Sequence, residues 1–98
     1  MSEEFKKNIK IINQNLDSLK KDYGVKKIGV FGSFVNGKPG KNSDIDILVE
    51  FLKPVSFFEF IEVEDFLSKI LKRKVDLATK NALKPAIKKD ILKEVVYV

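Results

Sequence analysis

Gly32-Ser33-Phe34-Val35-Asn36-Gly37-Lys38-Pro39-Gly40-Lys41-Asn42-Ser43-Asp44-Ile45-Asp46-Ile47-Leu48-Val49-Glu50-Phe51 is the stretch that decides the fold. Its second half alternates without a break. Ile45, Ile47, Val49 and Phe51 face one way, and Asp44, Asp46, Leu48 and Glu50 face the other. A period of two is that of a half-buried β-strand. The first half, Gly32 to Ser43, holds three Gly, one Pro, two Asn and two Ser, and reads as a turn-forming connector. Just before it, Lys26 to Phe31 reads as a short central strand, because Ile28, Val30 and Phe31 offer apolar atoms to both sheet faces. The connector is too short for a crossover helix with its turns, so these two strands are expected to be antiparallel.

Outward from this pair, Phe5, Ile9, Ile12, Leu16 and Leu19 fall in steps of four and three, one helix face from Ser2 to Asp22, stopped at Gly24. Downstream, Ser56 and Glu59 form a capping box opening a helix over Phe57 to Leu71, with a core stripe of Phe60, Val63, Leu67 and Ile70. A third strand, Lys74 to Ala78, precedes a helix from Pro85 to Glu94. The apolar tail Val95 to Val98 reads as a final strand or helix end. A helix between the second and third strands implies a right-handed parallel crossover. The expected fold class is α+β: a small mixed β-sheet packed with helices, in one domain spanning 1–98.

The chain has 98 residues, no Cys and no His. That excludes disulfides, thiolate or imidazole zinc sites, and Ser-His or Cys-His catalysis. Any metal must take oxygen ligands, as Mg²⁺ does. Nineteen Lys and Arg against fourteen Asp and Glu give a net charge of +5, which favours anionic partners. Arg73 is the only arginine, so the bidentate forks that read guanine are missing, and the lysines scatter over helix faces without interleaved aromatics. No specific nucleic-acid partner is expected. The N-terminal stretch is charged and no apolar run approaches the ~18 residues that span a bilayer, so the expectation is a cytoplasmic protein with no membrane partner.

The chemistry concentrates at two points of the opening stretch. Asp44 and Asp46 stand two residues apart, which on a strand puts both on one face about 6.6 Å apart at Cα. Neighbouring carboxylates repel unless a cation lies between them. Gly32-Ser33 follows a buried strand at a turn, where glycine lets backbone approach a ligand and serine offers a hydroxyl and an amide to phosphate. Antiparallel pairing would bring Gly32-Ser33 beside the two acids. Asp76, inside Val75-Asp76-Leu77, is costly in an apolar strand unless partnered. A parallel third strand would place it beside Asp44 and Asp46, and three carboxylates can hold two metal ions.

Two other motifs fail. Gly32-x-x-x-x-Gly37-Lys38 starts like a Walker A loop, but Pro39 stands where the Mg²⁺-binding hydroxyl is needed and no helix follows. Asp44-x-Asp46 starts like a Ca²⁺ loop, but Leu48 and Val49 occupy the places of a ligand and the turn glycine.

Gly32-Ser33, ten intervening residues and Asp44-x-Asp46 together resemble the signature of the DNA polymerase β-type nucleotidyltransferase superfamily. The ending Ser43 to Phe51 and the closing Leu83-Lys-Pro…Glu94-Val-Val-Tyr-Val98 resemble, more narrowly, the minimal nucleotidyltransferases, over nearly the whole chain. The resemblance implies a nucleotidyltransferase core acting as the antitoxin of a HEPN-domain RNase toxin. It implies AMP transfer from ATP to a toxin tyrosine, with two Mg²⁺ ions on the acids matching Asp44, Asp46 and Asp76. Gly32 and Ser33 would hold the nucleotide. Asn36 departs from the arginine common in that family, and Lys38 or Lys41 would supply the charge. The rival readings are neutralisation by binding alone, with the apolar tail as docking segment, a basic nucleic-acid module, and transfer to a small molecule.

Overall fold

The protein, described here by a computed structural model over residues 3–36, 40 and 43–98, places its first apolar stripe on two helices instead of one. These are α1 (Glu3–Gln14) and α2 (Leu16–Tyr23). The break falls at Asn15, whose Nδ2 donates to the Ile11 carbonyl at 2.8 Å. A short amide side chain that bonds the backbone competes with helix propagation. Gly24 ends α2 in the left-handed conformation (φ 67°), as its position predicted.

Strands β1 (Val25–Phe31) and β2 (Ile45–Phe51) pair antiparallel, as the short connector required. That connector is not all loop, because Ser33–Asn36 makes one helical turn, α3. Helix α4 (Phe57–Leu71) opens on the expected capping box. Ser56 Oγ accepts from Glu59 N at 3.1 Å, and Glu59 Oε1 accepts from Ser56 N at 2.9 Å. Val63, Leu67 and Leu71 are its buried residues, while Phe60 and Ile70 are only half-buried.

Strand β3 (Val75–Thr79) then runs parallel to β2, and a 3-10 turn (Lys80–Ala82) leads into α5 (Pro85–Glu94). The tail forms β4 (Val96–Tyr97), antiparallel to β1, so the sheet order is β3-β2-β1-β4. Gly29 makes this edge possible. A Cβ there would lie 2.8 Å from Val95 Cγ2 and 2.9 Å from the Val96 carbonyl oxygen.

One face of the sheet carries the core. Ile28, Val30, Ile45, Ile47 and Val49 pack there with Phe5, Ile12, Leu19, Phe34, Val63 and Leu67, all buried. Leu48 is also buried, on the opposite face, where its register partners are Gly29 and Ala78. Asp46 and Glu50 share that face through the period of two. Among the described residues, no helix is long and apolar enough to cross a membrane.

Candidate active site

Pairing register brings the acids together. Asp46 on β2 is the Cα partner of Asp76 on β3 and, on its other side, of Phe31 at the end of β1. Side chains at directly opposed register positions project to the same face. Asp44 sits two residues before Asp46, just ahead of β2, with its side chain 40% exposed and Lys74 Nζ 4.0 Å from Oδ2. Asp76 is exposed.

β1 leads directly into the turn that faces these acids. Gly32 holds φ 78°, in the left-handed region that favours glycine. It also lacks room for a side chain, because a Cβ would overlap the Asp46 carboxylate. Ser33 opens α3, and the Val35 N–H donates back to the Gly32 carbonyl at 3.0 Å. Phe34, fully buried, anchors this turn in the core. The Gly-Ser turn and the acids therefore share one end of the sheet. Lys38 and Lys41 lie outside the described residues.

The electrostatics follow from this crowding. Burial lifts the Asp46 carboxyl from its ordinary 3.8 to about 6, and the charges of Asp76, Asp44 and Glu94 push in the same direction. A carboxylate at the end of a buried strand, beside three other acids, favours either a proton or a cation. The all-oxygen donor set of Asp44, Asp46 and Asp76 suits a hard divalent ion. The chemistry fits, although among the described residues no three acids already stand in closed metal-ligand geometry. Side-chain rotation about the fixed strand positions would have to complete the set.

Among the described residues, Glu94 and Arg73 also reach this end of the sheet, and spacing did not single out either as a site residue. Glu94, the last residue of α5, accepts a hydrogen bond from the Gly32 N–H through Oε1 at 3.1 Å. Arg73, just ahead of β3, donates through a terminal nitrogen to the Ser43 carbonyl at 3.0 Å. Both contacts join residues far apart in sequence, where periodicity carries no signal.

A model described as nucleotidyltransferase domain matches residues 9–98. The chain belongs to the nucleotidyltransferase family. Among its relatives is the protein adenylyltransferase MntA of Thermococcus cleftensis, 46% identical over 88 residues, which cover 90% of this chain and 89% of that one. Among solved structures, a minimal nucleotidyltransferase superposes with a TM-score of 0.76 at 24% identity, over 92% of both chains. A chain from the complex of tri-AMPylated Shewanella oneidensis HEPN toxin with MNT antitoxin superposes at 0.65 and 20% identity, covering 92% of this chain and 70% of that one. At those identities the superpositions establish the fold. This nucleotidyltransferase is thus an α+β enzyme domain whose acids and Gly-Ser turn meet at one end of a four-stranded mixed sheet.

Proposed function

We propose that this enzyme is an antitoxin protein adenylyltransferase. It transfers AMP from ATP to a tyrosine hydroxyl of a HEPN-type RNase toxin and releases pyrophosphate, with Mg²⁺ as cofactor. The observation that carries the reading is the register opposition of Asp46 and Asp76 beside Gly32, a turn with no space for a side chain next to the central acid. The relative named protein adenylyltransferase MntA supports the choice of reaction, and the HEPN toxin complex supports the choice of partner.

Each residue has a role in this scheme. Asp44 and Asp46, with Asp76, would hold the metal ions, two in the fullest case. The Ser33 hydroxyl and the amides of the Gly32-Ser33 turn would bind phosphate oxygens, and Lys41 would add positive charge. Asp76, exposed on β3, would orient the tyrosine hydroxyl and accept its proton. The phenolic oxygen forms a bond to the α-phosphorus as the bond from that phosphorus to the bridging oxygen breaks, and the electron pair leaves on pyrophosphate. Bound Mg²⁺ supplies charge stabilisation, about several kcal/mol of the barrier. The whole chain, 1–98, acts as one domain, in the cytoplasm.

Purified enzyme and a HEPN partner, incubated with Mg²⁺ and α-labelled ATP, should place label on the partner, with adenylate on tyrosine by mass spectrometry. A partner recovered unmodified alongside active toxin suppression would refute transfer.

A second reading, neutralisation by binding alone, is favoured by the open geometry of the acids and by Glu94 occupying the Gly32 N–H. The tail does not add to it, since Val96 and Tyr97 are paired in the sheet. Under this reading an Asp44→Asn/Asp46→Asn double variant suppresses the toxin as strongly as the parent protein.

A further inference from the structure

Arg73 makes contacts that none of the eighteen lysines could reproduce with a single ammonium. Its guanidinium donates from Nε and Nη2 to Glu4 Oε1 at 2.9 and 2.7 Å, reaching α1. From Nη1 it donates to the Ser43 carbonyl at 3.0 Å, and its central carbon lies 5.1 Å from the centroid of the Phe34 ring. The side chain is only 21% exposed. A planar fork serves several acceptors and a ring face at once, and an ammonium on a flexible stem does not.

The placement of these contacts matters more than their number. Ser43 immediately precedes Asp44, and the residue after Asp44, Ile45, donates its N–H to the Lys74 carbonyl at 2.9 Å. The adjacent residues 73 and 74 therefore grip the chain on both sides of Asp44, which lies ahead of the β2 ladder. On the other side, Phe34 follows Ser33 in the turn that faces the acids. One side chain thus ties together the backbone that carries Asp44 and the helical turn that carries Ser33.

We propose that Arg73 is a positioning residue of the nucleotidyl-transfer site. Through the Ser43 carbonyl and the Phe34 ring, it holds Asp44 and the Ser33 turn in mutual register and so sets the affinity of the acids for a divalent ion. The inference rests on the reading of Asp44 and Asp46 as metal ligands. Groups that orient ligands from behind typically change metal affinity by about 10–100-fold when altered.

The test compares Arg73→Lys with the parent protein by direct Mn²⁺ titration, by the Mg²⁺ dependence of AMP transfer, and by melting temperature. Lysine keeps the charge and loses the fork. The expected result is Mn²⁺ binding weakened by about tenfold or more, with the KM for Mg²⁺ raised in step and kcat largely recovered at saturating Mg²⁺. Glu4→Gln, which loosens the anchor from α1 without touching the site, should shift both in the same direction and by less. Unchanged Mn²⁺ affinity and KM for Mg²⁺ in folded Arg73→Lys, with turnover tracking only the folded fraction, would overturn the proposal. A parent protein that transfers AMP and binds Mn²⁺ leaves the metal-site reading standing when Arg73→Lys behaves normally. A parent protein that binds no Mn²⁺ removes that reading and this inference together.

Discussion

Gly32 and Asp46 are packed so closely that the glycine has no room for a methyl group beside the carboxylate. Two constraints therefore meet at residue 32, a positive φ and a steric limit set by the central acid of the site. Gly32→Ala should cost about 1–2 kcal/mol from backbone strain alone. The larger effect falls on the site, because the flexible Asp46 carboxylate can yield by rotating away. The variant should fold, melt several degrees lower and lose most AMP transfer, which thermal melts and labelled-ATP assays would register. Retention of full transfer would show that Asp46 does not act from its observed place.

Asp46→Asn separates stability from activity. Removing the charge relieves repulsion from Asp76, Asp44 and Glu94 and the burial of a carboxylate. The variant should melt at or above the temperature of the parent at pH 8 in the absence of metal, while transfer falls by roughly a thousandfold, at about 1.4 kcal/mol per tenfold. Melting curves with chelator, set beside initial rates of labelling, check both halves.

Asp46 also predicts a pH dependence of the metal-free protein. Its folded value, about 6, lies above the ordinary 3.8, so folding favours the protonated form. The corresponding stability is complete below about 4, declines as pH rises and is gone above about 6. Melting temperatures across that window should fall for the parent more than for Asp46→Asn. Added Mg²⁺ should raise the melting temperature at pH 8 and do less at pH 5, where protons compete for the same oxygens.

Gly29→Ala tests the tail. The added Cβ would press on the Val96 carbonyl oxygen, which is backbone and cannot step aside without moving β4. Overpacking of this kind costs about 1–3 kcal/mol. The variant should show a lower melting temperature and faster proteolytic clipping near Val95, monitored by mass spectrometry. Clipping as slow as in the parent would show that β4 tolerates the displacement.

Much of this architecture was legible because it is written in local periodicity. The alternation from Asp44 to Phe51 placed β2 and its two faces, and the Ser56-Glu59 spacing located the start of α4. The short connector and the intervening helix gave the antiparallel and parallel pairings. Asn15 was not legible as a break, because the apolar stripe runs through it and its side-chain bond to Ile11 leaves no mark in the spacing. The site was half legible. Asp44, Asp46, Asp76 and Gly32 converge as strand logic required, whereas Glu94 and Arg73 arrive from remote segments through contacts that leave no pattern in composition or spacing.

The parallel β2-β3 pair has a consequence for biosynthesis. Asp46 meets its counterpart on β3 only after the whole α4 crossover has been laid down, and the Gly32 turn receives Glu94 later still. On the ribosome, the paired acids are therefore assembled only once β3 has emerged and docked against β2.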